Sequence, residues 1–197
     1  MTKPFPALAL SLLGLAASLA VAPPLRAAQD LRIDFDPRKT TVDFTLGASL
    51  HDVHGVFQLK SGSIQFDRQS GAASGSLVVD AGSGNSGTEA RDSKMKHDVL
   101  ETGRFPDIVF TPKNVVGNVP EQGSAAVQVH GVLRIHGIDH ELTLLVSLTV
   151  TASTFQLTTT FAVPYVAWGM KDPSAFVLRV GKEVKITVHA AGQVSAR

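Results

Sequence analysis

The chain has 197 residues, 18 Lys and Arg against 17 Asp and Glu, a formal net charge of +1, and no Cys. Near-neutrality excludes nucleic-acid binding or electrostatic docking on anionic lipid as its main interaction. The absence of Cys excludes disulfides, thiol catalysis and iron–sulfur chemistry, and the length suits one ordinary domain.

The first element is an apolar run over residues 8–22, preceded by Lys3 and followed by Pro23 and Pro24. It has the length of a secretory leader core and is short for a membrane span. Ala27 and Ala28 offer a small-residue cleavage site, so residues 1–27 read as a cleaved signal peptide and 28–197 as the mature domain; a retained anchor is the alternative. Removing Lys3 and Arg26 leaves 16 basic and 17 acidic residues, net −1. The expected location is the periplasm.

From Thr41 onward a period of two dominates, the mark of strands with one apolar face. Val42, Phe44 and Leu46 begin it, then Ile64 and Phe66, Leu77 and Val79, Ile108 and Phe110. Val127, Val129, Leu133 and Ile135 follow, then Leu142 through Val150, then Phe155, Leu157 and Phe161. Phe176, Leu178 and Val180, with Val184, Ile186 and Val188, complete the pattern. Gly-, Asn-, Ser- and Pro-rich breaks separate about eight to ten strands. Their regular spacing and length predict an all-β fold, a single antiparallel barrel whose closure removes exposed edges. One segment, "GTEARDSKMKHDVLETGRFPD", lacks the period. Thr88 offers an N-cap, Met95 and Val99 share a face, and Gly103 and Pro106 end the pattern. A short helix over residues 89–100 is therefore predicted to cover one barrel end.

Four blocks, "VHGVF", "TEARDSKMKHDVLETGRFPDIVF", "GVLRIHGIDHELTL" and "VGKEVKITVHAAG", stand in this order. Together they resemble the YceI-like family of exported lipocalin-type barrels over residues 34–192. The Arg91-Asp92 pair, Leu100, Phe105-Pro106 and Phe110 match that family's helical block, and Gly131 to Gly137 its hairpin. The resemblance implies a barrel holding a long apolar chain: a polyprenyl lipid, an isoprenoid quinone or a fatty-acyl amide. It supplies no catalytic residues. The stretch "FAVPYVAWGMKDPSAF" departs from the family's aromatic, Arg-containing strand, and residues 164–173 are expected to form a separate rim or lid.

The apolar parity leaves two readings of the interior, a filled core or a slender dry channel; the resemblance favours the channel. Candidate ligand-contacting residues are Phe44, His54, Phe57, Phe105, Phe110, Phe161, Tyr165 and Trp168. Tyr165 and Trp168 are the only residues of their kinds, in a Pro- and Gly-rich stretch suited to an amphipathic rim. Arg91 and Asp92 are read as structural, pinning the helix to the barrel, with contact to a polar head group as the alternative for Arg91. Seven His invite a metal, yet no local spacing supplies three converging ligands; His130 and His136 read as exterior. No metal, cofactor or catalytic group is assigned. The functional expectation is a periplasmic carrier for a long apolar amphiphile. The alternatives are a scaffold docking a membrane partner, and a lipid-modifying enzyme with His54 or Asp52 as base. A homodimer through an outer strand face is a further expectation.

Overall fold

A computed structural model describes residues 30–174 and 179–196. The signal-peptide segment lies outside the described residues, as do Phe176 and Leu178. Nine strands form one antiparallel sheet: β1 (Asp30–Phe35), β2 (Thr41–Leu46), β3 (Val53–Asp67), β4 (Ala73–Asn85), β5 (Asp107–Val116), β6 (Gly123–Ile135), β7 (Ile138–Val150), β8 (Thr154–Val163) and β9 (Val184–Ala196). From β3 through β9 each strand pairs with the next, and the ring closes through β1 and β2. Those two share one position. The lower half of β3 pairs with β2 and its upper half with β1; β9 does the same from the other side. A 3-10 turn at Pro37–Lys39 steps the chain from one to the other. Nine strands thus make a closed barrel of eight positions, as the alternation predicts.

Strand β1 follows the same rule, with Leu31 and Phe35 buried, although it precedes the segments singled out from sequence. The β3–β4 and β5–β6 ladders carry three register shifts, and two of them are bulges where Lys60 in β3 and Lys113 in β5 are extra residues without a ladder partner. Each bulge shifts the inward parity by one, so Leu59 hands over to Ile64, and Pro112 to Val115. The extra Lys60 stays in water, donating to Asp107 at 2.6 Å.

The predicted helix forms as α1 (Glu89–Lys94), continued by a π-helical turn at Met95–Val99. Thr88 does not cap it with its side chain. The hydroxyl lies free, and the link to the barrel runs the other way: the Asp92 carboxylate accepts from the backbone N–H of Ser86 at 2.8 Å and from its hydroxyl at 2.6 Å. Asp92 thus ties the helix to the end of β4. Past the helix, the loop 101–105 is clipped onto the β6–β7 turn. That turn is His136-Gly137, with φ of 52° and 75°, the left-handed pair that a two-residue hairpin favours. The His136 ring lies 3.1 Å from the Glu101 carboxylate and packs against Phe105 at 4.7 Å.

Barrel closure demands close backbone approach at Gly192, which faces Phe35 on β1 and Phe155 on β8. A Cβ there would collide with the Asp34 carbonyl oxygen and the Phe155 ring. Gly192→Ala should lower unfolding free energy by at least about 2 kcal/mol. Gly103→Ala, where a Cβ meets nothing within 4 Å, should stay within about 0.5 kcal/mol of the parent. Urea unfolding of both variants tests the pair; equal effects would contradict the closure argument.

Candidate functional site

The barrel is hollow. Inward residues such as Ile64, Val79, Leu157, Ile186 and Val188 are only half-buried because they face a cavity of about 700 Å³ rather than one another. Three buried clusters line it instead of one solid core. Val79 and Val188 belong to two of them and mark the middle of the channel. Of the two interiors open to the sequence, the channel is the one formed.

Three hydroxyls of the wall are turned away from the cavity by bonding to main-chain carbonyls. The Thr159 hydroxyl donates to the Leu145 carbonyl at 2.8 Å, that of Thr40 to the Asp36 carbonyl at 2.9 Å, and that of Tyr165 to the Gly181 carbonyl at 2.7 Å. Each satisfied hydroxyl leaves carbon facing inward. The exposed residues of the lining, Leu50, His51, Thr88, Ala90 and Lys94, lie at the helix-covered end. There the loop between β2 and β3 is held to the segment before β9 by Ser49 N–H on the Arg179 carbonyl and Gly181 N–H on the Gly47 carbonyl. Leu50, 82% exposed, and His51 border that rim together with Arg91 and Lys94 of α1.

The candidate residues divide. Phe44, Phe57, Phe110, Phe161 and Tyr165 line the cavity, and Phe44 and Phe57 pack on each other at 5.3 Å. His54, Phe105 and Trp168 do not line it. His54 is on the outer face, with its ring 3.1 Å from the Thr45 hydroxyl. Phe105 belongs to the hairpin clip, under the Arg104 guanidinium. Trp168 stacks on His140 at 3.8 Å, the rings within 7° of parallel. Their partners are distant in sequence, so no spacing reveals them. Arg91 lines the rim, whereas Asp92 makes the β4 tie. Met95, Val99, Leu100 and Met170 also line the cavity and escaped the sequence reading as site residues. The Met95–Val99 spacing was the signal for the first two. Residues 164–173 cap the same end: after a compact turn, Tyr165 and Met170 are buried beneath the helix. Among the described residues no three His, Asp or Glu converge as a metal site.

Burial, seconded by the Asp172 carboxylate, pushes the Tyr165 hydroxyl up to about 12 from an ordinary 10.0. Between those values the unfolded chain has lost a proton that the folded chain keeps, so stability should fall as pH rises from about 10 to 12. Because Tyr165 is the sole tyrosine, an absorbance titration reads it directly. Tyrosinate should appear near pH 12; appearance near 10 would refute the buried, bonded hydroxyl. Tyr165→Phe should cost about 1 kcal/mol at neutral pH.

A sequence model described as the YceI-like domain matches residues 34–191. No curated protein matches. Among solved structures, BcnA of Burkholderia cenocepacia superposes with a TM-score of 0.66 at 20% identity, covering 81% of this chain and 99% of its own. A polyisoprenoid binding domain from Saccharophagus degradans, implicated in plant cell wall breakdown, gives 0.65 at 15% identity over 86% and 100%. The YceI protein of Campylobacter jejuni gives 0.55 at 14% identity over 68% and 80%. At these identities the superpositions speak for the fold alone. The family follows from the match over residues 34–191, which carries both the barrel walls and the covering helix: the chain belongs to the YceI-like family.

Proposed function

We propose that this protein is a carrier that holds one long apolar amphiphile inside its barrel, and that it works in the periplasm after removal of residues 1–27. The observation that carries the reading is the cavity itself, about 700 Å³ and walled by Val, Leu, Ile and Phe from every strand position. That volume is within the range of small-molecule sites. A chain carbon needs about the space of a water molecule, roughly 30 Å³, so the channel takes on the order of 20 carbons. Each buried methylene contributes about 0.8 kcal/mol before the costs of ordering the chain. Tight binding therefore needs few polar contacts, and a polyprenyl chain, a quinone tail and an acyl chain all meet the requirement. The S. degradans relative, named for polyisoprenoid binding, supports the same class. No step of this role is chemical. Loading is assigned to the helix-covered rim, where Leu50 offers an exposed apolar contact to a membrane or to a membrane-protein partner.

Native mass spectrometry of protein purified from the periplasmic fraction, followed by organic extraction, tests the reading. One apolar adduct per chain is expected. An unliganded mass that stays unchanged after incubation with quinones and long acyl lipids would overturn it. Val188→Trp, placed mid-channel, should shorten the longest chain accommodated by several carbons without lowering the unfolding midpoint; unchanged chain-length preference would show that ligand lies elsewhere.

A further inference from the structure

The cavity wall carries charge at two places, and both are cationic. Arg68 sits at one end, past the C-terminus of β3; Arg91 and Lys94 sit at the other, on α1. No Asp or Glu lines the cavity. The two ends differ in how their charge is met. Arg68 donates to the Pro120 carbonyl at 3.2 Å and lies 3.5 Å from the Glu121 carboxylate. Arg91 is half-buried, and no hydrogen bond or ion pair joins its side chain to another described residue. Residues 1–29, 175–178 and 197 contain no Asp or Glu. The acids nearest in sequence give no relief: Asp92 is committed to Ser86, and Glu89 is exposed. Lys94 donates one N–H to the Pro173 carbonyl at 3.0 Å and meets no acid. Thr88, three residues before Arg91, keeps a hydroxyl unused in capping on the same rim. The spacing of three puts Thr88, Arg91 and Lys94 on neighbouring turns of one face.

A guanidinium partly withdrawn from water beside an apolar wall, with no counter-charge, is unfavourable until an anion joins it. Its planar fork matches carboxylate and phosphate oxygens in paired hydrogen bonds. We propose that this rim is a head-group site and that the barrel's ligand is an anionic amphiphile, an apolar chain ending in a phosphate or carboxylate held by Arg91, Lys94 and the Thr88 hydroxyl. The inference rests on the carrier reading, since the chain must lie in the barrel for its head to reach the rim.

One C20 chain with three heads separates the possibilities: geranylgeraniol, geranylgeranoic acid and geranylgeranyl phosphate, each titrated into delipidated protein by calorimetry. The anionic ligands should bind at least about tenfold tighter than the alcohol, the strength expected of charge-assisted pairs. The carboxylate-to-phosphate ratio tells which head the rim prefers. Added salt should reduce the preference. In the double variant Arg91→Gln/Lys94→Gln, with its unfolding midpoint checked, the ratio of anion to alcohol affinity should collapse toward one. Equal affinity for all three heads in the parent would overturn the head-group site and leave the carrier reading standing. A preference that survives the double substitution would overturn it too. No binding of any of the three would remove both.

Discussion

Everything in this molecule depends on closure of the sheet at β1 and β2. Two short strands occupy one position because β3 and β9 are long enough to serve both. With eight positions filled, no edge of the sheet is left unpaired, and the diameter is set by the strand number. An eight-position barrel is wide enough that opposing Val, Leu and Ile side chains do not meet in the middle. The hollow is therefore a product of backbone geometry combined with medium-sized side chains. Some aromatic rings that reach inward pair with each other, as Phe35 does with Phe155 and Phe44 with Phe57, which thickens the wall locally and leaves the channel open.

A dry channel also requires every polar atom in its wall to be bonded elsewhere. Thr40, Thr159 and Tyr165 show how this is done, each hydroxyl turned onto a main-chain carbonyl. The covering elements obey the same rule. Asp92 takes both the N–H and the hydroxyl of Ser86, and the Glu101–His136 contact fastens the following loop to the β6–β7 hairpin. Arg104 donates to Glu101, and that bond, more than the one to His136, holds the Glu101 carboxyl below its usual range. The exceptions on the wall are cationic: the side chain of Arg91 at the rim has no partner among the described residues, and at the other end the buried Nε of Arg68 has none either.

Period-two alternation made the barrel legible, together with four short blocks that resemble one family. The inward set of β2 and of β6 through β9 could be read off residue by residue. The reading lost the thread where a single inserted Lys flips the parity, at Lys60 and Lys113, because a bulge leaves no mark in hydrophobicity alone. It placed five of the eight candidate contact residues on the cavity. The other three, His54, Phe105 and Trp168, turn to partners outside it: Thr45, His136 and His140. Thr88 looked like a cap from its position, yet capping depends on a side-chain rotamer that sequence does not encode. The hollow interior was likewise undecidable from pattern, since a filled barrel and an empty one alternate identically.

The shared strand position has a consequence for how the protein comes into being. Leu31, on the first described strand, finds its partner in Ala196, on the last. Hairpins from β3 to β8 can pair with their neighbours in sequence, but the seam that closes the ring has no second edge until β9 is in place. Contacts so distant along the chain form late and slowly. The incomplete chain is an open sheet with two sticky borders, the form most prone to wrong partners. Assembly therefore waits on one strand: a chain of this design stays unlocked until β9 is in place and becomes a vessel when that strand pairs on both sides.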